Sequence, residues 1–160
     1  MMQATRVRQI DTPLGPMVAE ASEFGLTKLY WSDGNTSEIQ PRSEHLDCAE
    51  RWLNAYFSGG NAPEPNLDFT GLTDFRKHIS LTLQKKVRFG ELTTYRDLAK
   101  SARKSGASRA VGSTMAKNPW PLLVPCHRVL KSDGSLGNYS AADGIKTKAW
   151  LLNHEKQLMK

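Results

Sequence analysis

A cysteine, a histidine and an arginine stand side by side at positions 126–128, directly after an apolar run. A thiolate is a strong nucleophile, and a neighbouring base or cation lowers the pKa of a thiol. Three prolines between residues 119 and 125 restrict the backbone that leads to Cys126. A cysteine beside a histidine is most often a buried core thiol, but this grouping favours a reactive one.

His127 is the candidate base for Cys126. Adjacent side chains of an extended strand point to opposite faces, so His127 reaches the sulfur only through a turn or a bridging water. An imidazole base also gains from a carboxylate that orients it and stabilises its charge. Glu155, in a predicted C-terminal helix, is the candidate carboxylate; its alternative role is that of a solvated acid near the chain end.

The segment 137–144 lies between these two candidates and consists of glycines and small residues around one aromatic, Tyr139. This composition is typical of a loop. The loop either walls a pocket for a planar ring or serves as an ordinary connector.

The 160 residues carry a net charge of +6 that is unevenly distributed. The net charge is −6 over residues 1–75, +9 over 76–117 and +3 over 118–160. A basic segment of this kind indicates a polyanionic partner such as nucleic acid. The alternative is a solvated, lysine-rich face.

The two halves of the chain also predict different elements. The first half shows an alternating run at residues 6–10 and two further strand-like runs at 17–21 and 26–31, separated by turn residues, which predict an antiparallel meander. A helix is predicted over Glu44–Phe57. A glycine- and proline-containing stretch, 58–65, is the best linker candidate. We therefore expect one domain over 1–68 and a second over 69–160.

The basic segment predicts three helices: Thr73–Val87 ended by Gly90, a second from Thr94, and a third over 107–117. A helix, a glycine-containing turn and a helix are the outline of a helix-turn-helix. The third helix carries mostly small side chains around Arg109, namely Ala107, Ser108, Ala110, Gly112 and Ser113. Small residues allow the close approach that a narrow minor groove requires, although helix–helix packing uses them equally well.

Cysteine content and hydropathy exclude several classes of protein. Cys48 and Cys126 are the only cysteines, too few for a disulfide framework or an all-cysteine zinc site, and they indicate a reducing compartment. Cys48 is expected to be a small core residue. No apolar run has the length of a membrane span, and residues 1–10 lack the pattern of a secretory signal.

The sequence resembles the O6-alkylguanine-DNA alkyltransferases, which are also called methylated-DNA–protein-cysteine methyltransferases. The resemblance covers most of the chain and is strongest from Phe89 to Glu155. Its motifs are Asp-Thr-Pro-Leu-Gly-Pro (11–16), Phe-Gly-Glu-Leu-Thr-Thr-Tyr (89–95), Arg-Ala-Val-Gly (109–112), Asn-Pro (118–119), Pro-Cys-His-Arg-Val (125–129), Gly-Asn-Tyr-Ser (137–140) and Trp-Leu-Leu-Asn-His-Glu (150–155).

The resemblance implies an α+β fold: a small N-terminal antiparallel sheet with a helix, ribonuclease-H-like, and a C-terminal helical domain with a helix-turn-helix, winged-helix-like. It implies irreversible transfer of an alkyl group from O6 of guanine, and O4 of thymine, to Cys126. The nucleotide would be flipped out of double-stranded DNA from the minor-groove side.

The resemblance also implies the site residues. Cys126 accepts the alkyl group, His127 takes the thiol proton through a water, and Glu155 holds the histidine. The other catalytic residues are Asn118 and Tyr95; the DNA-binding and flipping residues are Arg109, Tyr95, Ala107, Ser108, Ala110, Gly112 and Arg128; and the pocket residues are Pro121, Val129, Tyr139 and Ser140. No cofactor and no metal are expected.

The chain departs from the family pattern at Ala141-Ala142, where the family commonly has two glycines, and methyl groups there are expected to narrow the pocket against bulky adducts. We expect a monomer, with cooperative binding along DNA left open, in the cytoplasm or, in a eukaryote, the nucleus. Two other hypotheses are a DNA-binding module in which Cys126 is a core residue, and a cysteine hydrolase that uses Cys126 and His127.

Overall fold

The computed structural model describes residues 5–159. The chain forms two compact units, and the boundary along the chain lies between Thr70 and Gly71. This boundary lies two residues beyond the predicted division at 68/69. Residues 1–4, which belong to the predicted first domain and to the segment inspected for a secretory signal, lie outside the described residues. No helix in the described part of the chain is long and apolar enough to cross a membrane.

The first unit is an antiparallel sheet with one helix. Its strands are β1 (Arg6–Ile10), β2 (Met17–Ala21) and β3 (Leu26–Trp31), in the order β1-β2-β3. Helix α1 (Glu44–Ser58) begins after Ser43, whose side chain accepts a hydrogen bond from the His45 N–H. The sheet and helix therefore form where alternation and apolar spacing predict them.

Cys48 is not the core residue that we expected. The buried stripe of α1 consists of Leu46, Ala49, Leu53 and Tyr56, and position 48 lies beside it. The thiol is half-buried, and Sγ lies 3.5 Å from the Pro63 carbonyl oxygen. The spacing of the stripe, rather than the residue type, decides the burial of this thiol.

Within residues 71–159, the second unit contains four helices and a two-stranded parallel sheet. Its elements are α2 (Asp74–Lys86), β4 (Thr93–Thr94), α3 (Tyr95–Ser101), α4 (Ser108–Ala116), a 3-10 turn (Cys126–Arg128), β5 (Val129–Leu130) and α5 (Ile145–Leu158). Helix α2 follows the predicted cap, Thr73, and ends at Lys86, directly before the predicted end at Val87, which adopts an extended conformation. The predicted second and third helices are α3 and α4.

The short sheet connects the start of α3 with the segment that carries Cys126. Thr93 pairs with Val129, and Thr94 pairs with Leu130. Thr94 is also the N-cap of α3, where its Oγ accepts a hydrogen bond from the Asp97 N–H at 3.1 Å. Two-residue strands show no alternation, so the sequence did not predict this pairing.

The cap at Thr94 positions Tyr95, the first residue of α3. Thr94→Ala removes the acceptor for the Asp97 N–H, and we expect it to lower the free energy of unfolding by about 1 kcal/mol in urea titrations followed by circular dichroism. Thr94→Ser, which keeps the hydroxyl, is the control and retains most of that stability. Equal losses in both variants would show that the cap contributes nothing.

Candidate active site

Cys126 lies on a tight 3-10 turn, and backbone hydrogen bonds fix both this turn and the segment before it. The Val124 N–H donates to the Trp120 carbonyl at 2.9 Å, and the Arg128 N–H donates to the Pro125 carbonyl at 3.0 Å. Leu122 has φ +79°, a left-handed conformation that is unusual for a large apolar side chain. The result is a thiol that is 7% exposed and that stands on a turn rather than on an extended strand.

Asn118 braces this turn with both ends of its side-chain amide. Oδ1 accepts from the Trp120 N–H at 2.9 Å, and Nδ2 donates to the Val124 carbonyl at 2.7 Å. Nδ2 also lies 3.2 Å from the sulfur of Cys126. Burial raises the pKa of Cys126, and the hydrogen bond from Asn118 opposes that effect. At rest, Cys126 is therefore a buried thiol whose deprotonated form already has a donor.

His127 and Glu155 form a buried pair. Nε2 of His127 lies 2.5 Å from Oε2 of Glu155, and neither residue is more than 1% exposed. Burial lowers the pKa of His127, while the bond to Glu155 opposes that shift. A neutral imidazole that donates from Nε2 to the carboxylate presents Nδ1 as its basic atom.

Glu155 also binds the side chain of Arg128 and the backbone of a preceding loop. Arg128 donates from Nε at 2.8 Å and from Nη2 at 3.2 Å, and the Gly90 N–H donates at 3.1 Å. Burial alone would raise the pKa of Glu155, but the bonds and charges of His127 and Arg128 lower it to about 2. The carboxylate is therefore ionised and stabilises positive charge on His127.

The structure contradicts the prediction that Arg128 contacts DNA. Its guanidinium is bound to Glu155 and to the Val87 carbonyl at 3.1 Å, lies 5.7 Å from the Phe89 ring centroid, and is 6% exposed overall. The family resemblance implied a DNA contact for Arg128, but this residue belongs to an unbroken run of buried residues, 120–129. It is an internal counter-ion for Glu155.

Four of the remaining DNA-facing candidates, Tyr95, Ser108, Arg109 and Gly112, line one open pocket. Arg109 and Ala110 on α4 are exposed, whereas Ala107, Ser108 and Gly112 are half-buried. Tyr95 and Arg109 border the same pocket of about 370 Å³, whose lining is Tyr95, Arg96, Ser108, Arg109, Gly112, Lys131, Ser132 and Asp133. Sequence reasoning missed Arg96 and Lys131 as part of this cationic rim.

The predicted substrate-pocket residues differ in accessibility. Pro121, Val129 and Tyr139 are buried, and Ser140 is exposed, with its Oγ donating to the Ala116 carbonyl at 3.0 Å. Burial and the negative charge of a Cys126 thiolate raise the pKa values of Tyr139 and Tyr95. Both phenols are therefore un-ionised near neutral pH and sense the charge on the sulfur.

Lys148 is the buried charge that the sequence reasoning did not select. It is 0% exposed, and Nζ donates to the Val129 carbonyl at 2.7 Å. Its spacing from Leu151 and Glu155, by three and seven residues, places all three on the buried side of α5. That spacing is the signal that could have found it.

No group of three or more histidine, cysteine, aspartate or glutamate side chains within residues 5–159 is arranged to hold a metal ion.

Comparison with known proteins decides the family. Residues 74–157 match the family described as 6-O-methylguanine DNA methyltransferase, DNA binding domain. The chain is 37% identical to the methylated-DNA–protein-cysteine methyltransferase of Rattus norvegicus, over 91% of this chain and 79% of the relative, and 36% identical to that of Methanosarcina barkeri, over 92% and 94%. The chain belongs to this methyltransferase family.

A solved structure of a family member shows the same fold. The Mycobacterium tuberculosis OGT in complex with DNA has a TM-score of 0.81 and 34% identity, covering 95% of this chain and 93% of that one. The small antiparallel sheet and the helices described above thus form the mixed α+β fold seen in this methyltransferase structure.

Removal of the charge on Glu155 should destabilise the folded protein because it leaves Arg128 buried without its counter-ion. We expect Glu155→Gln to lower the free energy of unfolding by about 3–5 kcal/mol at pH 7, measured by urea denaturation. The control is Asp47→Asn, which disrupts the exposed Arg8–Asp47 pair and should cost no more than about 1 kcal/mol.

The loss of stability in Glu155→Gln should depend on pH. The Glu155 carboxyl has a pKa of about 2 in the folded protein and about 4.5 in the unfolded chain. Its contribution to the free energy of unfolding is therefore full above about pH 4.5 and is lost as the pH falls to about 2. The stability difference between the wild type and Glu155→Gln should therefore shrink between pH 4.5 and 2. A constant difference would contradict this assignment.

Proposed function

We propose that this protein repairs DNA by transferring an alkyl group from O6 of guanine, and from O4 of thymine, to Cys126. The observation that carries the proposal is the buried Cys126 turn, with the His127–Glu155 pair adjacent in the chain, in a unit that belongs to a DNA methyltransferase family. The names of the family's curated members describe methylated DNA as substrate and a protein cysteine as acceptor. The product thioether has no resolving thiol in this proposal, so each molecule reacts once.

The chemistry starts with the proton of Cys126. Nδ1 of His127 takes this proton through a water, and Glu155 stabilises the imidazolium that forms. The thiolate attacks the alkyl carbon, a sulfur–carbon bond forms, and the bond between that carbon and O6 breaks with its electron pair moving into the purine. Tyr95 donates a proton to the guanine ring, and His127 resupplies it through solvent. The thiol proton thus ends on guanine, and the alkyl group on sulfur.

The buried position of the sulfur requires the target nucleotide to leave the duplex. Extrusion of a base costs a few kcal/mol, which contacts to the backbone and a side chain in the vacated stack offset. In this proposal α4 enters the minor groove with its small residues, Arg109 occupies the gap, and Tyr95 presses on the phosphate. The support is the shared pocket of Tyr95 and Arg109 and the net charge of +9 over residues 76–117.

The flipped base is proposed to lie among Pro121, Tyr139, the Ser140 backbone and the carbonyls of Cys126 and Val129. Ala142 next to this pocket has φ +48°, a conformation that favours glycine. The methyl groups of Ala142 and Ala141 narrow this pocket, so we expect methyl adducts to react better than benzyl adducts.

The finer fold assignments belong to the same proposal. We assign the first unit to the ribonuclease-H-like class and the second to the winged-helix-like class. We also propose that the protein acts as a monomer in a reducing compartment, the cytoplasm or, in a eukaryote, the nucleus.

Transfer of a label tests the function. Duplex DNA carrying a radiolabelled methyl group on O6 of guanine is incubated with the wild type, and we expect the label to move to protein and to saturate at one equivalent. Cys126→Ser should take up none, whereas Cys48→Ser should react like the wild type. Label that stays on DNA would support a binding module only, and repeated turnover would support a hydrolase-like enzyme.

Arg109 provides a second test, of nucleotide extrusion. Arg109→Ala should slow repair of duplex DNA at least tenfold but change the reaction with free O6-methylguanine base less than twofold, because the free base needs no extrusion. Arg51→Ala, which removes an equal charge from an exposed position on α1, is the control. Equal losses of both reactions in Arg109→Ala would make Arg109 a structural residue.

A further inference from the structure

Lys148 lies where lysine is rarely found. It is 0% exposed, and it stands on the face of α5 that also carries the buried Glu155. A lysine ammonium is strongly hydrated and is buried only where the structure compensates for the lost water. The position therefore requires an explanation that neither the proton relay nor the DNA contacts supply.

The compensation comes from backbone carbonyl groups. Nζ donates to the Val129 carbonyl at 2.7 Å and lies 3.5 Å from the Asn138 carbonyl. Among residues 5–159, no carboxylate forms an ion pair with Lys148 within 4.0 Å. The charge of this lysine is thus solvated by dipoles and is not neutralised by an acid.

These two carbonyls belong to the end of the turn that carries Cys126 and to the loop that leads to Tyr139. The Val129 N–H donates to the Cys126 carbonyl and closes the 3-10 turn, so the bond from Lys148 holds the end of that turn. Asn138 directly precedes Tyr139, whose phenol senses the charge on Cys126. Lys148 thereby ties the turn and the loop together from α5.

Several other groups influence the same sulfur. Asn118 donates to it, Tyr95 and Tyr139 respond to its charge, and His127 is adjacent in the chain. Burial raises the pKa of Cys126 and Lys148 opposes that rise, while burial lowers the pKa of Lys148 and the Cys126 thiolate opposes that fall. Lys148 is the one cation in this set, since Arg128 is neutralised by Glu155.

We propose that Lys148 is a positioning residue whose ammonium, anchored on the Val129 carbonyl, supplies the positive charge that stabilises the Cys126 thiolate. This inference rests on the proposed role of Cys126 as the nucleophile. The same charge disfavours a protonated His127, so the proton taken from the thiol is passed on instead of being retained.

The test follows Cys126 reactivity without DNA. The rate of carboxamidomethylation by iodoacetamide, which reacts with the thiolate, is measured from pH 6 to 10 by peptide mass spectrometry of the Cys126 peptide. Lys148→Met removes the charge and keeps the length of the side chain, and Lys148→Gln removes the charge but keeps an N–H donor. Lys146→Met, at an exposed position of the same helix, is the matched control.

We expect the midpoint of the pH–rate profile to rise by about one unit in both Lys148 variants, which corresponds to a roughly tenfold lower rate below the midpoint. The Lys146→Met profile should coincide with that of the wild type. A uniform drop in rate at every pH, with the midpoint unchanged, would mean that Lys148 only supports packing and would overturn the proposal.

A second measurement does not depend on folding of the Lys148 variants. In protein with 13C-labelled lysine, the pKa of Lys148 is followed by NMR in the wild type and in Cys126→Ser. A lower Lys148 pKa in Cys126→Ser supports the proposal, because the thiolate is absent, and equal values overturn it. If the methyl label never reaches Cys126 while the midpoint shift is present, the proposed function fails and the electrostatic role of Lys148 stands.

Discussion

A single buried carboxylate, Glu155, holds the reactive part of the structure together. It accepts hydrogen bonds from His127, from Arg128 and from the Gly90 backbone, which lie on the 3-10 turn and on the loop after α2. A buried charge with three donors is stable only while all of them are present. The requirement to satisfy Glu155 therefore fixes the position of the turn, and with it the positions of Cys126 and His127.

The buried charges of the site are separated in a way that suits thiolate chemistry. Arg128 neutralises Glu155, so the pair adds little net field, and His127 stays neutral because burial disfavours its charged form. Within residues 5–159, the partners of Lys148 are carbonyl dipoles. In a region of low dielectric constant, an unneutralised cation exerts a larger effect on a nearby ionisable group than it does in water. Removal of the thiol proton thus creates a negative charge on Cys126 that the positive charge of Lys148 stabilises.

The sequence predicts the elements with a local signal and fails where tertiary contacts decide. Thr73 and Thr94 lie directly before the helices that they cap, and apolar spacing locates α1. The β4–β5 pairing has two residues on each strand and no periodicity from which to predict it. Arg128 carries the same charge as an exposed arginine, so residue type alone suggests DNA binding, whereas its burial depends on a glutamate 27 residues away.

The burial of Cys126 limits how any substrate can approach. The sulfur belongs to a residue that is 7% exposed and is held by Asn118 on a turn with left-handed backbone at Leu122, so the turn has little freedom to move outward. An oxygen on a base within a stacked duplex is equally inaccessible. Two buried atoms react only if one of them moves, and in the proposed function the braced turn leaves that movement to the nucleotide. In the same proposal, the open pocket at Tyr95 and Arg109, with its cationic rim, supports the moving nucleotide.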